Sequence, residues 1–434
     1  MLKRIIIPVL IVISLLFTSC SQMIYSTKKI TKSEIKNTNS KNSLKIDKTK
    51  LDSAVKPSPY YKKIELNCGY NTLSSYSERR VYSELIAHCT DFTSETDSSY
   101  DNNYIIEPIV LEGCDITRRQ LARAVMAFYQ DNPQVFWLAE PYSYSISATG
   151  LTIKLYATMS EAQYSKKLKQ LNAVINGILK KLKKGMSEFE RELYIHDYIV
   201  KNCKYLKNPD EKYKDPYTIY GCLVNQSAVC MGYTAAFQLL LSYAGINSVA
   251  VYGDNTANGH IWNAVEIEGD WYYTDVTWDD TGDFFMYDNF NITTAQLKKT
   301  HKIVPGMEAY NDEELFGKDG SLTAVNLFIP KCTAVKYNYY RYKGSIIKSL
   351  SDNKLSEDLA KAAKSRSRYF YIYVHPGYLN YKTTYSKLFG GSLFLFSEYI
   401  KQANSILGSD ILQMSVSVSE KKTLNTICVE LKYN

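Results

Sequence analysis

The chain has 434 residues, 45% of them hydrophobic and 22% charged, with 20 Gly and 11 Pro. That composition excludes disordered, collagen-like and repeat-array proteins and allows about three domains. The net charge of +8 is concentrated at the start: Lys3 and Arg4 supply +2, and residues 21–58 supply +6 from nine Lys against Glu34, Asp47 and Asp52. The remainder is neutral, which removes the electrostatic case for a nucleic-acid partner.

Lys3 and Arg4 precede an apolar run of thirteen residues, Ile5 to Phe17. This is shorter than the roughly 20 residues a spanning helix needs, and it reads as a signal peptide over 1–20. The ending Leu15-Leu16-Phe17-Thr18-Ser19-Cys20 resembles the lipobox of bacterial lipoproteins. The resemblance implies lipidation of Cys20, an exported protein and a lipid anchor in the membrane, facing outside the cytoplasm. An ordinary secretory signal with an incidental Cys20 is the alternative. Residues 21–58, rich in Lys, Ser and Asn, read as a flexible tether with a reach on the order of 35 Å. Eight cysteines remain beyond Cys20, an even number that permits disulfides; their spacing suits no zinc site and indicates no connectivity.

Residues 59–158 read as an N-terminal α+β region. Ile116 to Tyr129 has helical spacing and runs into the stop Asp131-Asn132-Pro133; Gln134 to Leu138 looks strand-like, and Tyr142 to Ile146 with Leu151 to Tyr156 reads as a hairpin. A long amphipathic helix is predicted from Ser160, with Leu171, Ile175, Ile178 and Leu179 on its apolar face. Ser187 and Glu190 have capping-box spacing and open a further helix through Asn202, in which His196 is read as packing or capping.

Three features between residues 217 and 290 carry chemistry. Cys230 opens a helix that runs to Gly245, where the positive end of the helix favours a thiolate, although a lone cysteine is ordinarily a structural thiol. Thirty residues on, His260 lies in the strand-like Gly259 to Val265 and can serve as general base. Fifteen residues further, Asp275 follows Trp271-Tyr272-Tyr273-Thr274 and can orient the imidazole. A tight turn at Gly269-Asp270 sets Asp275 about 13 Å from His260 along the sheet, whereas a wider loop over Ile267 to Asp270, or a bulge, sets it opposite Trp262 and diagonal to His260.

The ordered set Cys230-Met231-Gly232-Tyr233, His260-Ile261-Trp262-Asn263 and Asp275-Val276-Thr277-Trp278-Asp279 resembles the transglutaminase-like superfamily over roughly residues 187 to 300. The resemblance implies an α+β fold with a papain-like core over 159–310, a nucleophile helix packed on an antiparallel sheet. It assigns Cys230 as nucleophile, His260 as base and Asp275 as third member. Met231 stands where bacterial relatives commonly have Gln, and Cys222 where Ala is frequent. The implied reaction is acyl transfer through a thioester on a protein or peptide of the cell envelope, with no cofactor or metal. The backbone N–H of Cys230 and Gln226 are candidate oxyanion donors, and Tyr233, Trp262 and Trp278 candidate cleft residues. A catalytically idle binding or scaffold module on the same fold is the alternative. Residues 311–434 read as a C-terminal α+β accessory domain, with strands near Leu322 to Ile329, Tyr369 to Val374, Ile411 to Val418 and Leu424 to Leu431, helices near Ser356 to Lys364 and Ser392 to Ile406, and His375 structural.

Overall fold

A computed structural model describes residues 55–434 apart from 211, 256–258, 282–285, 318–321, 352 and 391–394. The expected signal peptide with Cys20, and nearly all of the tether, lie outside the described residues. No helix among the described residues is long and apolar enough to cross a membrane. The chain is α+β and divides into two units, Met1–Phe285 with Lys298–Lys331, and Met286–Leu297 with Cys332–Asn434. Residues 311–331, grouped by sequence with the accessory domain, therefore belong to the first unit. There Asp312 pairs with Arg119 at 3.0 Å, and the Tyr273 hydroxyl donates to the Pro330 carbonyl at 3.0 Å.

In the first unit, α1 (Tyr76–His88) begins at a Ser75–Glu78 capping box. It is followed by β1 (Phe92–Asp97), β2 (Asn103–Ile106), β3 (Ile109–Glu112), α2 (Arg118–Asp131), β4 (Leu138–Ser147) and β5 (Gly150–Ala157). The strands form one sheet in the order β1-β2-β5-β3, with β4 also paired to β5 as the expected hairpin. The expected strand at 134–138 is instead a buried turn with β4 starting at its end: Val135, Phe136 and Trp137 are core residues, and the Trp137 indole donates to the Cys89 carbonyl at 2.8 Å. A short apolar run looks the same in sequence whether it lies in a buried turn or a strand.

The helix α3 (Glu161–Leu179) and the capped α4 (Glu188–Asn202) lead into the central layer. Its elements are β6 (Lys204–Tyr205), α5 (Ile219–Leu223), β7 (Ser227–Ala228), α6 (Cys230–Tyr243), β8 (Ser248–Asp254), β9 (Gly259–Ile267), β10 (Asp270–Thr274), α7 (Val276–Asp279) and β11 (Lys302–Ile303). An antiparallel sheet runs in the order β10-β9-β8-β11. Helix α6 ends at Gly245, whose φ of +76° suits glycine, and it is stitched to the sheet by polar side chains. The Thr234 hydroxyl donates to the Ile261 carbonyl at 3.0 Å, Asn263 Nδ2 to the Thr234 carbonyl at 3.2 Å, and Gln238 Nε2 to the Ser248 carbonyl at 3.3 Å. Gln238 also reaches the Gln130 carbonyl, and Gln130 Nε2 donates to the Ala250 carbonyl, which ties α2 to the same layer.

The second unit has its own core around Leu359, Ile372, Val374, Leu388, Ile400 and Ile427. Strand β12 (Ser345–Ile347) pairs with β13 (Tyr369–Val374) in parallel, and β14 (Ser417–Lys421) and β15 (Thr426–Glu430) complete the order β12-β13-β15-β14. Helices α8 (Lys354–Lys364), α9 (Tyr381–Phe389) and α10 (Leu395–Leu407) accompany the sheet. Two expected strands differ: residues 322–329 make only isolated bridges in the first unit, and regular pairing near 411–418 begins at Ser417. His375 accepts from the Gly377 backbone N–H at 3.2 Å, a turn role.

Two devices set the position of the site. A Cβ on Gly232, in the first turn of α6, would lie 2.7 Å from the Pro216 carbonyl oxygen and 2.9 Å from that of Thr218, so glycine permits the close approach of α6 to the chain before α5. The second device is a buried ion pair: His196 on α4 contacts Asp279 Oδ2 at 3.2 Å through Nε2 and Asp197 Oδ1 at 3.1 Å through Nδ1. Burial alone would push the His196 pKa down, but the hydrogen bonds and charges of Asp197 and Asp279 outweigh it and raise the value from 6.5 to about 9.

Gly232→Ala gains about 1 kcal/mol of helix propensity. The clash with two backbone oxygens costs more, about 1–3 kcal/mol, so the variant should melt a few degrees lower, and a higher melting temperature would contradict the packing account. For His196 the pKa is higher in the folded than in the unfolded chain, so its stabilisation is complete below pH 6.5 and is lost as pH rises through about 9. Urea unfolding should show wild type losing stability, by about 3 kcal/mol at most, across that window relative to His196→Gln; parallel profiles would contradict the ion pair.

Candidate active site

Cys230 is the first residue of α6, and Val229, at the cap position, makes no side-chain hydrogen bond to the helix end. The positive end of the fourteen-residue helix is therefore presented at the thiol. Cys230 is buried against Ala250 of β8 and Ile261 of β9, with Met231 and Tyr252 packed on the same cluster. The expected nucleophile thus sits beside the strand that carries His260, one residue along from it.

The hairpin joining β9 to β10 turns on Glu268 (φ +49°) and Gly269 (φ +86°), a two-residue corner with both residues left-handed. Asp270 pairs with Ile267 and Thr274 with Asn263. The corner is one residue earlier than the Gly269-Asp270 turn considered from sequence. The resulting register is the one that brings Asp275 next to Trp262 and within reach of His260. β10 ends at Thr274, and Asp275 caps α7 instead of continuing the strand.

Asp275 is 1% exposed, and its carboxylate accepts four hydrogen bonds. Oδ1 accepts from the backbone N–H of Thr277 at 3.0 Å and of Trp278 at 3.1 Å. Oδ2 accepts from His260 Nε2 at 2.7 Å and from His301 Nε2 at 3.0 Å. Burial would raise the carboxyl pKa, but the adjacent imidazoles, His260 foremost, hold it well below the usual carboxylate range. An ionised carboxylate only accepts, so both Nε2 atoms carry hydrogen. In His260 the nitrogen that Asp275 does not engage is Nδ1. Trp262 and Trp278 lie against this cluster, with ring centroids 4.8 Å and 4.5 Å from that of His301.

The other expected site residues are placed as follows. Gln226 is exposed in a left-handed turn ahead of β7, and its carbonyl accepts from Lys204 at 3.0 Å. Tyr233 is fully buried and its hydroxyl donates to Asp280 at 2.6 Å. Trp262 is buried as well, so among the three candidate cleft aromatics Trp278 alone is partly exposed. No disulfide joins any of the eight described cysteines. Sequence reasoning missed His301, which lies past every motif and is joined to Asp275 only by the fold; the Asp279 partner of His196 was missed for the same reason. Among the described residues, the group able to hold a metal ion is His260, Asp275 and His301, with ligand atoms within 4.8 Å of one another. In this structure those atoms hydrogen-bond to one another.

Residues 176–276 match the family model of the transglutaminase-like superfamily, a span that contains Cys230, His260 and Asp275 and ends before His301. The kyphoscoliosis peptidase of Mus musculus is 26% identical over 171 residues, covering 35% of this chain and 25% of its own. The chain thus spans a quarter of the length of that curated relative. Two solved structures are also similar. A transglutaminase is 16% identical with a TM-score of 0.24, covering 40% of this chain and 50% of its own. A candidate cysteine protease from Cytophaga hutchinsonii is 12% identical with a TM-score of 0.21, covering 43% and 67%. The α6–β8–β9–β10 layer, with a cysteine heading the helix and a histidine on the sheet, lies within the span that matches the transglutaminase-like superfamily.

Proposed function

We propose that Cys230, His260 and Asp275 form a thiol acyl-transfer centre acting on amide bonds of proteins or peptides. The observation that carries the reading is the 2.7 Å hydrogen bond from His260 Nε2 to the buried Asp275, on the strand against which the Cys230 end of α6 packs. Asp275 holds His260 in the Nε2–H tautomer and stabilises the imidazolium. The Nδ1 atom then takes the thiol proton, and the Cys230 thiolate attacks the amide carbonyl carbon. His260 returns that proton to the leaving nitrogen as the C–N bond breaks and a thioester forms. Water or an amine next attacks the thioester, giving its proton to Nδ1, and the C–S bond breaks to regenerate the thiol.

The oxyanion of each tetrahedral intermediate falls at the start of α6, where the backbone N–H of Cys230 is the first donor and Gln226 the candidate second. Hydrolysis is favoured over cross-linking, because water is in vast excess unless an acceptor site excludes it. Export and lipid attachment at Cys20 belong to the same reading and are supported by the apolar run and the lipobox-like ending. The substrate is then a protein or peptide of the cell envelope.

The test is turnover of a peptide library in the presence of a labelled primary amine, with hydrolysed and amine-bearing products both read by mass spectrometry. Cys230→Ser and His260→Ala should each lower the rate at least about 10³-fold, and Asp275→Asn about 10²- to 10⁴-fold. Turnover that survives Cys230→Ser but is lost on chelation would replace this reading with a metal centre at His260, Asp275 and His301. Binding of peptides without turnover would favour the idle binding module.

A further inference from the structure

Resting on the thiol-centre reading, we infer that His301 is a positioning residue of that centre: in its neutral Nε2–H form it donates to Asp275 and shares the carboxylate with His260. Three observations support this. Both imidazoles direct Nε2 at the same oxygen, Asp275 Oδ2, at 2.7 and 3.0 Å, so the carboxylate is pinned between them. His301 Nδ1 lies 2.7 Å from the Thr300 hydroxyl, which can donate to it and thereby fix the proton on Nε2. The His260 and His301 ring centroids are 5.6 Å apart in a buried pocket, so a charged His301 would oppose the imidazolium that His260 must form.

A neutral donor at this position draws on the carboxylate's negative charge without adding a positive one. That limits how strongly Asp275 retains the imidazolium, and so keeps His260 acidic enough to protonate a leaving nitrogen. The groups facing Asp275 are His260 from β9, His301 from the segment before β11, and the two α7 backbone N–H groups; the His196–Asp279 pair lies one turn further along α7. Two backbone donors on Oδ1 keep the carboxylate in place when His301 is removed, so the effect of removal on His260 is electrostatic. With less of the charge shared, the imidazolium is better stabilised and its proton is lost at higher pH.

The experiment is long-range ¹H–¹⁵N NMR of the full chain carrying labelled histidine, which reports tautomer and titration at each ring. In wild type His301 should carry its proton on Nε2 and be bare on Nδ1. In His301→Leu the titration of His260 should move up by about one pH unit, a roughly tenfold change in its proton affinity. In His301→Gln, whose amide nitrogen replaces the donor, it should stay close to wild type. A bare Nε2 on wild-type His301 would overturn the inference and needs no variant to fold. So would an unchanged His260 titration in a folded His301→Leu, or an equal shift in both variants, which would mark a merely space-filling role. Thiol reactivity of Cys230 that is indifferent to His260→Ala is a separate result: it would sink the thiol-centre reading while leaving the His301 tautomer measurable.

Discussion

A carboxylate buried to 1% exposure is the constraint around which the central layer is organised. An isolated charge in such a place is prohibitively costly, and Asp275 is retained because four donors converge on it. Each donor comes with a structural commitment. The β9–β10 register must bring Asp275 to Trp262, the strand must end at Thr274 so that Asp275 can cap α7, and the chain must return past α7 to deliver His301. Asp279, at the far end of α7, is held in turn by His196 of α4. The position of the carboxylate is therefore set from two sides, by a sheet and by a buried ion pair on a separate helix.

Helix α6 meets this cluster with its positive end. Gly232 lets the helix start press against the Pro216 and Thr218 carbonyls, and Thr234, Asn263 and Gln238 fix it to β8 and β9 through backbone groups. A thiol at the head of a long helix, beside a strand bearing a histidine with a buried carboxylate partner, has the parts needed to form a thiolate–imidazolium pair. The surrounding aromatic rings, Trp262 and Trp278, thin the water around the imidazoles and strengthen every charge interaction there.

Much of this arrangement was legible in the sequence wherever local rules decide it. The Ser187–Glu190 box opens α4, Gly245 closes α6, and strand alternation puts His260 and Asp275 on one sheet face. The turn is less legible: Glu268 adopts a positive φ, which its residue type does not advertise, so the corner lies one residue before the position that glycine alone suggests, in the register of the wider loop. The buried turn at 134–137 looks like a strand in sequence because apolar content alone does not separate the two. His301 and the partnership of His196 with Asp279 were invisible because each depends on residues 26 or 83 positions away, brought together only by the packed fold.

The most direct measurement of the central claim is the pH dependence of Cys230 alkylation, mapped by mass spectrometry, in wild type and in His260→Ala. A thiolate–imidazolium pair predicts rapid labelling of Cys230 well below pH 8 in wild type and loss of that advantage in the variant. Labelling that follows an ordinary buried thiol in both proteins would contradict the account and leave a transglutaminase-like domain that binds without catalysing.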